Sequence, residues 1–327
     1  MLELFRDKIF AHQTSFELRA IELFHLQYEH NLIYRKFVDT LGIHTDQIIS
    51  VDKIPFLPVS FFKNHKVVSG TKPTQLIFES SGTTDQFRSK HHVPDSVIYK
   101  ESILRSFRIF FGEPADYAFV ALLPGYNKRQ NVSLIYMVDQ LITWSEHPLS
   151  GYYNSHDDLI KALNETEHLK QKTILIGVTY ALLDLIEKKS FHLEHTMVMV
   201  TGGMKGKREE ITREELHEIL CKGFGVEKIY SEYGMTELLS QAYSKGDGIF
   251  RSPEWMRVLI RDIYDPFSFL ENGKSGGVNI IDFANLNSCA FIATDDIGKM
   301  NADGSFEIQG RLDGAEIRGC NQMIESA

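Results

Sequence analysis

Cysteine is scarce: Cys221, Cys289 and Cys320 are the only three, odd in number and scattered along 327 residues. A disulfide framework needs pairs, so a reducing cytoplasmic setting is expected, with buried free thiols as the plainest reading. No apolar run is both long and charge-free enough to cross a bilayer. The opening "MLELFRDKIFAHQTSFELRA" carries acids and lacks a long apolar core, so neither a signal peptide nor a membrane span is expected. Cationic charge is in short supply as well, with 35 Lys and Arg against 44 Asp and Glu and a formal charge of −9. Binding to nucleic acid or to an anionic membrane needs positive surface, so no nucleic-acid partner is expected. Internal repeats and low-complexity linkers are absent too.

What is present is ordinary for a globular protein: 43% hydrophobic and 24% charged residues, in a chain long enough for a large core. Apolar residues recur at helical spacing in "FELRAIELFHLQYEHNLIYRKFV". "IPFLPVSFFKNHKVV", with two prolines, suits a loop entering a strand. Strands and helices then alternate: "TQLIFESSG" as strand and glycine turn, "DSVIYKESILRSFRIFF" as helix, "DYAFVALLPG" as buried strand, "NVSLIYMVDQLIT" as helix. "KTILIGVTYALLDLIEKK" reads as strand then helix, and "HTMVMVTGG" and "VEKIYSEYG" as strands. Between those two, Thr212 with Glu215 predicts a capped helix start, and Gly223 and Gly225 its stop. The alternation predicts an α/β fold with a mostly parallel sheet. From about residue 247, short strands and turns predict a β-rich end. The expected organisation is a helical segment over 1–70, an α/β core over 71–246 and a β-rich subdomain over 247–327.

Ligands of such sheets sit beyond the carboxyl ends of the strands, where glycine turns follow at 82, 202–203 and 234. "ESSGTTDQFRSK" (79–90) is not a Walker loop, because Phe87 stands where that pattern needs its second glycine. Ser80, Ser81, Thr83 and Thr84 could still wrap a polyphosphate with hydroxyls and backbone N–H groups, and Gly82 would permit close approach. A plain surface turn has the same composition. In "SEYGMTE" (231–237), the Thr236 hydroxyl can bond a phosphate and Glu237 can hold Mg²⁺; a lone solvated acid is the plain alternative. In "TDDIGKMNADGSFEIQGRLDG" (294–314) an acid can accept two ribose hydroxyls, or the segment is simply hairpins with Asp-Gly turns. His91 and His92 are neighbours that a strand would point to opposite faces, so a solvated pair is expected and not a metal pair. The aromatics of "FRIFFGE" read as core, and "EEITREELHEIL" as a helix with a solvated acidic face.

Five segments in order across residues 80–313 resemble the adenylate-forming superfamily of acyl-CoA synthetases, luciferases and adenylation domains. "SSGTT" is similar to its phosphate loop, and "VTGGM" (200–204) to its adenine-lining segment, which implies Gly202, Gly203 and Met204. "YGMTE" resembles its adenine and Mg²⁺ motif, implying Glu232, Tyr233 and Gly234 beside the base, with Thr236 and Glu237 on phosphate and metal. "TDD" stands in place of Thr-Gly-Asp and implies Asp296 on the ribose. "GRLDG" implies Arg311 on ribose or phosphate, and Asp313 at the hinge. Within the superfamily, "IPFLPVSFFK", "LLPGYNKRQNVSLIYMVDQLI", "LIGVTYALLDLIE" and "SEYGMTELLSQAYS" resemble the acyl-protein synthetases, fatty-acid–protein ligases of bacterial bioluminescence systems and their relatives. The resemblance runs over most of the chain after about residue 30.

The resemblance implies ATP and Mg²⁺ as cofactors and a carboxylic, expectedly fatty, acid as substrate. Most superfamily members continue into a mobile lid carrying a lysine; fourteen residues follow Asp313, so the lid is expected to be absent. Asp85 replaces the loop's usual second glycine, and the basic residue is displaced to Arg88 or Lys90. Neutralising the attacking carboxylate therefore falls to Mg²⁺ on Glu237, Lys90, Arg88 or Arg311. In acyl-protein synthetases a cysteine near the C-terminus takes the acyl group as a thioester, and Cys320 stands in the matching place. Arg318 would favour its thiolate. A buried free thiol is the plain alternative there. The resemblance further implies an acyl reductase partner; the rivals are transfer to CoA or a carrier protein, and a nucleotide-binding scaffold subunit.

Overall fold

The computed structural model describes residues 2–11, 14–80, 88–125, 131–202 and 211–312. The chain opens with α1 (Leu2–Arg6), α2 (Phe16–His30) and α3 (Leu32–Thr40). Ser15 caps α2 by accepting from the Leu18 N–H, and Asn31 caps α3 by accepting from Ile33 and Tyr34. Next come β1 (Leu57–Pro58) and α4 (Phe61–Asn64). The loop-to-strand expectation for this proline-bearing stretch holds, but only for a short strand. Only two residues pair, parallel to a distant strand at Ile292 and Ala293, and a short helix follows. The Val59 N–H still donates to the Ala293 carbonyl at 2.9 Å, and the chain then turns into α4.

β2 (Leu76–Glu79) and β3 (Lys90–Val93) form an antiparallel pair of their own. After them run α5 (Ser96–Phe111), β4 (Ala118–Leu122), α6 (Ser133–Ser145), β5 (Gly151–Tyr152), α7 (His156–His168) and β6 (Thr173–Val178). α8 (Thr179–Lys188), β7 (Thr196–Thr201), α9 (Arg213–Phe224) and β8 (Tyr230–Tyr233) complete the alternating part. β4 to β8 are parallel in the order β5-β4-β6-β7-β8. Every residue of β4 and β6 is buried, as both-face coverage by helices requires.

The antiparallel part holds β9 (Ala242–Ser244), β10 (Ile249–Arg251), β11 (Met256–Arg261), β12 (Ser275–Asp282), β13 (Phe291–Met300) and β14 (Phe306–Arg311). It continues the same sheet through β8-β9-β10-β14-β13-β12-β11. The fold is thus α/β, with a parallel core, helices at the start and a β-rich end.

Thr212 does cap α9, accepting from the Glu215 N–H, and Gly225 ends it at φ 66°. Gly223, expected to help stop the helix, lies inside it. A Cβ there would stand 2.6 Å from Ile186, so the glycine serves the close packing of α9 on α8. α7 has no counterpart among the sequence expectations. Ser155 caps it, accepting from the Asp158 N–H, and two acids follow in its first turn.

Candidate active site

The parallel strands β7 and β8 pair Thr201 with Glu232 at their carboxyl ends. The same two residues meet by side chain: the Thr201 hydroxyl donates to a Glu232 carboxylate oxygen at 2.7 Å. Burial pushes the Glu232 carboxyl up to about 7, with the Thr201 bond pulling the other way. A Cβ on Gly234 would lie 2.5 Å from the other Glu232 oxygen, so this carboxyl occupies space that only glycine leaves. Gly202 follows Thr201 at φ 64°, the left-handed region, with its carbonyl accepting from the Thr179 hydroxyl.

Tyr233 leans across the sheet, its ring packed edge-on against Phe250 and Phe306. Its hydroxyl donates to Asp296 on β13 at 2.8 Å. Asp296 faces Arg311 across the β13–β14 pair, with guanidinium and carboxylate 3.3 Å apart, and Arg311 also reaches Asp295 at 3.6 Å. Burial raises the Asp296 carboxyl, and Arg311 and Tyr233 counter it. Beneath lies the buried Arg261, whose guanidinium donates to the carbonyls of Val278 and Thr294 and to Asn279. Gly277 leaves room for it, since a Cβ there would stand 2.5 Å from the guanidinium carbon. The expected ribose residues Asp296 and Arg311 are therefore brought together with Tyr233 of the adenine motif.

Thr236 and Glu237 sit in a turn held at successive backbone positions. The Thr236 carbonyl faces His91 Nδ1 at 3.0 Å, and the Glu237 carbonyl accepts from Asn285 Nδ2 at 2.8 Å. The Leu239 N–H and the Ser240 hydroxyl both donate to Asp282, at 3.0 and 2.6 Å. Burial pushes the Asp282 carboxyl up to about 6, against those hydrogen bonds. Glu237 itself is only 4% exposed, so the lone solvated acid is not what the structure holds. His91 corrects the solvated-pair expectation as well: it is wholly buried, with its partner His92 half-buried. Strand alternation separates the two rings, and one of them faces the core.

At the neck of the phosphate-loop candidate, the buried Ser80 hydroxyl accepts from the Ser89 N–H at 3.0 Å. Arg88 and Lys90 stand 3.9 and 3.8 Å from the two oxygens of Glu79. Ser81, Gly82, Thr83, Thr84, Gly203, Met204, Asp313 and Cys320 lie outside the described residues. The other two cysteines are free: Cys289 is buried, with its thiol pushed by burial up to about 12, and Cys221 is half-buried. Sequence reasoning missed Asp282, Asn285, Ser288 and Arg261. The signal available was "DFANLNSC" (282–289), a polar cluster between two apolar strands.

This donor set suits a magnesium nucleotide. A carboxylate oxygen such as that of Glu237 is the hard donor Mg²⁺ takes, the Asp296 carboxylate could accept from hydroxyls, and Arg311, Lys90 and Arg88 are cations that could meet phosphate. Among the described residues no cluster of three metal-ligating side chains occurs. No described helix is long and apolar enough to cross a membrane.

Comparison with known proteins points the same way. The chain is 24% identical over 92% of its length to the long-chain-fatty-acid–luciferin-component ligase of Vibrio harveyi, covering 84% of that protein. Its fold is similar to an open form of 2-hydroxyisobutyryl-CoA ligase, in complex with 2-HIB-AMP and CoA, with a TM-score of 0.65 at 12% identity. That likeness spans 91% of this chain and 70% of the ligase. It is also similar to ATP-bound MatB from Rhodopseudomonas palustris (TM-score 0.57, 16% identity), over 74% of this chain and 49% of that one. The family model described as "Acyl-protein synthetase, LuxE" matches residues 128–327, more than half of the chain, and the chain belongs to the LuxE acyl-protein synthetase family.

Proposed function

We propose that the protein activates a carboxylic acid of the fatty class with MgATP and passes the acyl group to the Cys320 thiol. In the first step a carboxylate oxygen bonds to the α-phosphorus of ATP, and the bond to pyrophosphate breaks, giving acyl-AMP. In the second, the thiolate attacks the acyl carbon and AMP leaves, giving a thioester. The observation that carries this reading is the meeting of Tyr233, Asp296 and Arg311 beside the Thr236–Glu237 turn, in a member of the acyl-protein synthetase family.

In this reading Glu232, Tyr233, Gly234, Gly202, Gly203 and Met204 surround the adenine, and Asp296 and Arg311 take the ribose. Ser80, Ser81, Gly82, Thr83, Thr84 and Thr236 grip the phosphates, with Arg88 and Lys90 neutralising charge. Glu237 holds Mg²⁺, which when bound supplies positive charge against the phosphate oxygens. The work is done in residues 71–246 together with the strands that follow. The name of the Vibrio harveyi relative supports the fatty class of acid. An acyl reductase would receive the thioester, in the cytoplasm.

Intact-mass spectrometry with MgATP and a panel of fatty and aromatic acids tests the reading. The expected result is an ATP-dependent acyl adduct that Cys320→Ser abolishes while pyrophosphate release continues. Pyrophosphate release with CoA consumption and no adduct would replace the Cys320 acceptor by CoA. No pyrophosphate with any acid would end the activation reading.

A further inference from the structure

Among the described residues, the pair β2–β3, which flanks the phosphate-loop candidate, is a two-stranded sheet separate from the twelve-stranded one. Ladder hydrogen bonds therefore do not set its position against the Thr236–Glu237 turn, which belongs to the main sheet's end. Yet phosphate gripped from both sides needs that spacing fixed to a fraction of an ångström. A side chain from the hairpin supplies the link. His91 follows Lys90 on β3 and is 0% exposed, with the Phe62 ring edge-on at 5.5 Å.

The His91 ring bridges two elements. Nδ1 lies 3.0 Å from the Thr236 carbonyl, and Nε2 lies 2.8 Å from the Ser288 hydroxyl. A carbonyl only accepts, so Nδ1 carries the proton and Nε2 takes the hydrogen of Ser288. Burial holds the ring at a pKa of about 4, so it is neutral at ordinary pH and can play both parts. The far anchor is itself braced: the Ser288 carbonyl accepts from Asn31 Nδ2 at 2.9 Å and from the Ser69 hydroxyl. The same loop reaches Glu237 through Asn285. A Ser–His contact can also mark a nucleophile and its base, but Ser288 is 2% exposed, which leaves its hydroxyl shielded.

We propose that His91 is a positioning residue, a strut that sets the phosphate-loop hairpin against the Thr236–Glu237 turn through the Thr236 carbonyl. The inference rests on the adenylate-forming reading of that turn and adds the part that holds its two halves in register.

Two isosteres separate the bonds. The Asn side-chain nitrogen overlays the His Nδ1 position and can still donate to Thr236, whereas Gln reaches only the Nε2 position beside Ser288. Calorimetry with MgATP is expected to give a dissociation constant about tenfold weaker for His91→Gln, the worth of one good hydrogen bond. For His91→Asn it should stay within about threefold, although each variant loses one buried bond and the two melt at similar temperatures. Equal weakening in both would overturn the strut and leave His91 a core residue. A ¹⁵N histidine spectrum of the wild type is expected to show the Nδ1–H tautomer at residue 91, and an Nε2–H tautomer would also overturn the proposal. Wild-type protein that binds no MgATP would instead refute the functional reading, and the strut's purpose with it.

Discussion

Thr236 follows Tyr233 by three residues, yet the two neighbourhoods are held by different forces. The Thr236–Glu237 turn is fixed by short hydrogen bonds to buried groups: His91, Asn285 and the carboxyl of Asp282. The Tyr233–Asp296–Arg311 cluster is fixed by charge, with Asp296 and Arg311 each 13% exposed at the side chain. A buried hydrogen-bonded network is stiff and little affected by salt, and it fails sharply when one member goes. The largely buried Asp296–Arg311 pair is held mainly by opposite charge, which a ligand hydroxyl or phosphate can also satisfy. The difference separates a part built to stay from a part built to exchange.

Breaking the stiff side should be the larger insult. Asp282→Ala strands the buried Leu239 and Ala284 N–H groups, while the Ser240 hydroxyl keeps Ser102 and Trp255, and is expected to cost about 3 kcal/mol of stability in denaturant unfolding. A loss under about 1 kcal/mol would mean the network is not what holds the turn.

The exchanging side should answer in ligand affinity. Asp296→Asn keeps an acceptor for the Tyr233 hydroxyl but discharges the pair with Arg311. MgATP binding by calorimetry is expected to weaken about tenfold, and its dependence on salt to change. Unchanged affinity would place the ribose elsewhere.

A smaller effect sharpens the boundary between the two, at Glu232. Its carboxyl is raised to about 7 by burial, above its ordinary 4.5, so the folded state holds the extra proton between those values. The stability it contributes is present below about 4.5 and is lost as pH rises through 7. Unfolding of the wild type measured against Glu232→Gln across that window should show this falling slope, at most about 3 kcal/mol in total and less where water reaches the half-buried carboxyl. Parallel curves would mean Glu232 is solvated like any surface acid.

Much of this was legible in the chain. Local signals carried the capped start of α9, the buried strands β4 and β6, and the glycines at the ends of β7 and β8, because caps, strand runs and turns are properties of neighbouring residues. The motif residues Tyr233, Asp296 and Arg311 were legible as a family pattern. What joins them was not: Asp296 lies 63 residues from Tyr233, and no local rule pairs them. His91 was misread because burial is decided by Phe62, Thr236 and Ser288, all brought from elsewhere. Gly223 was misread as a stop because its crowding comes from Ile186 on a different helix.

Gly234 carries a consequence for how this chain can vary. The space of its missing methyl is taken by the Glu232 carboxyl, which the Thr201 hydroxyl holds in place. An alanine at 234 would swing that carboxyl off Thr201, and a shorter residue at 232 would leave the glycine with nothing to accommodate. Positions 201, 232 and 234 are thus coupled: the place of the Glu232 carboxyl at the strand end depends on the hydroxyl at 201 and on the missing methyl at 234.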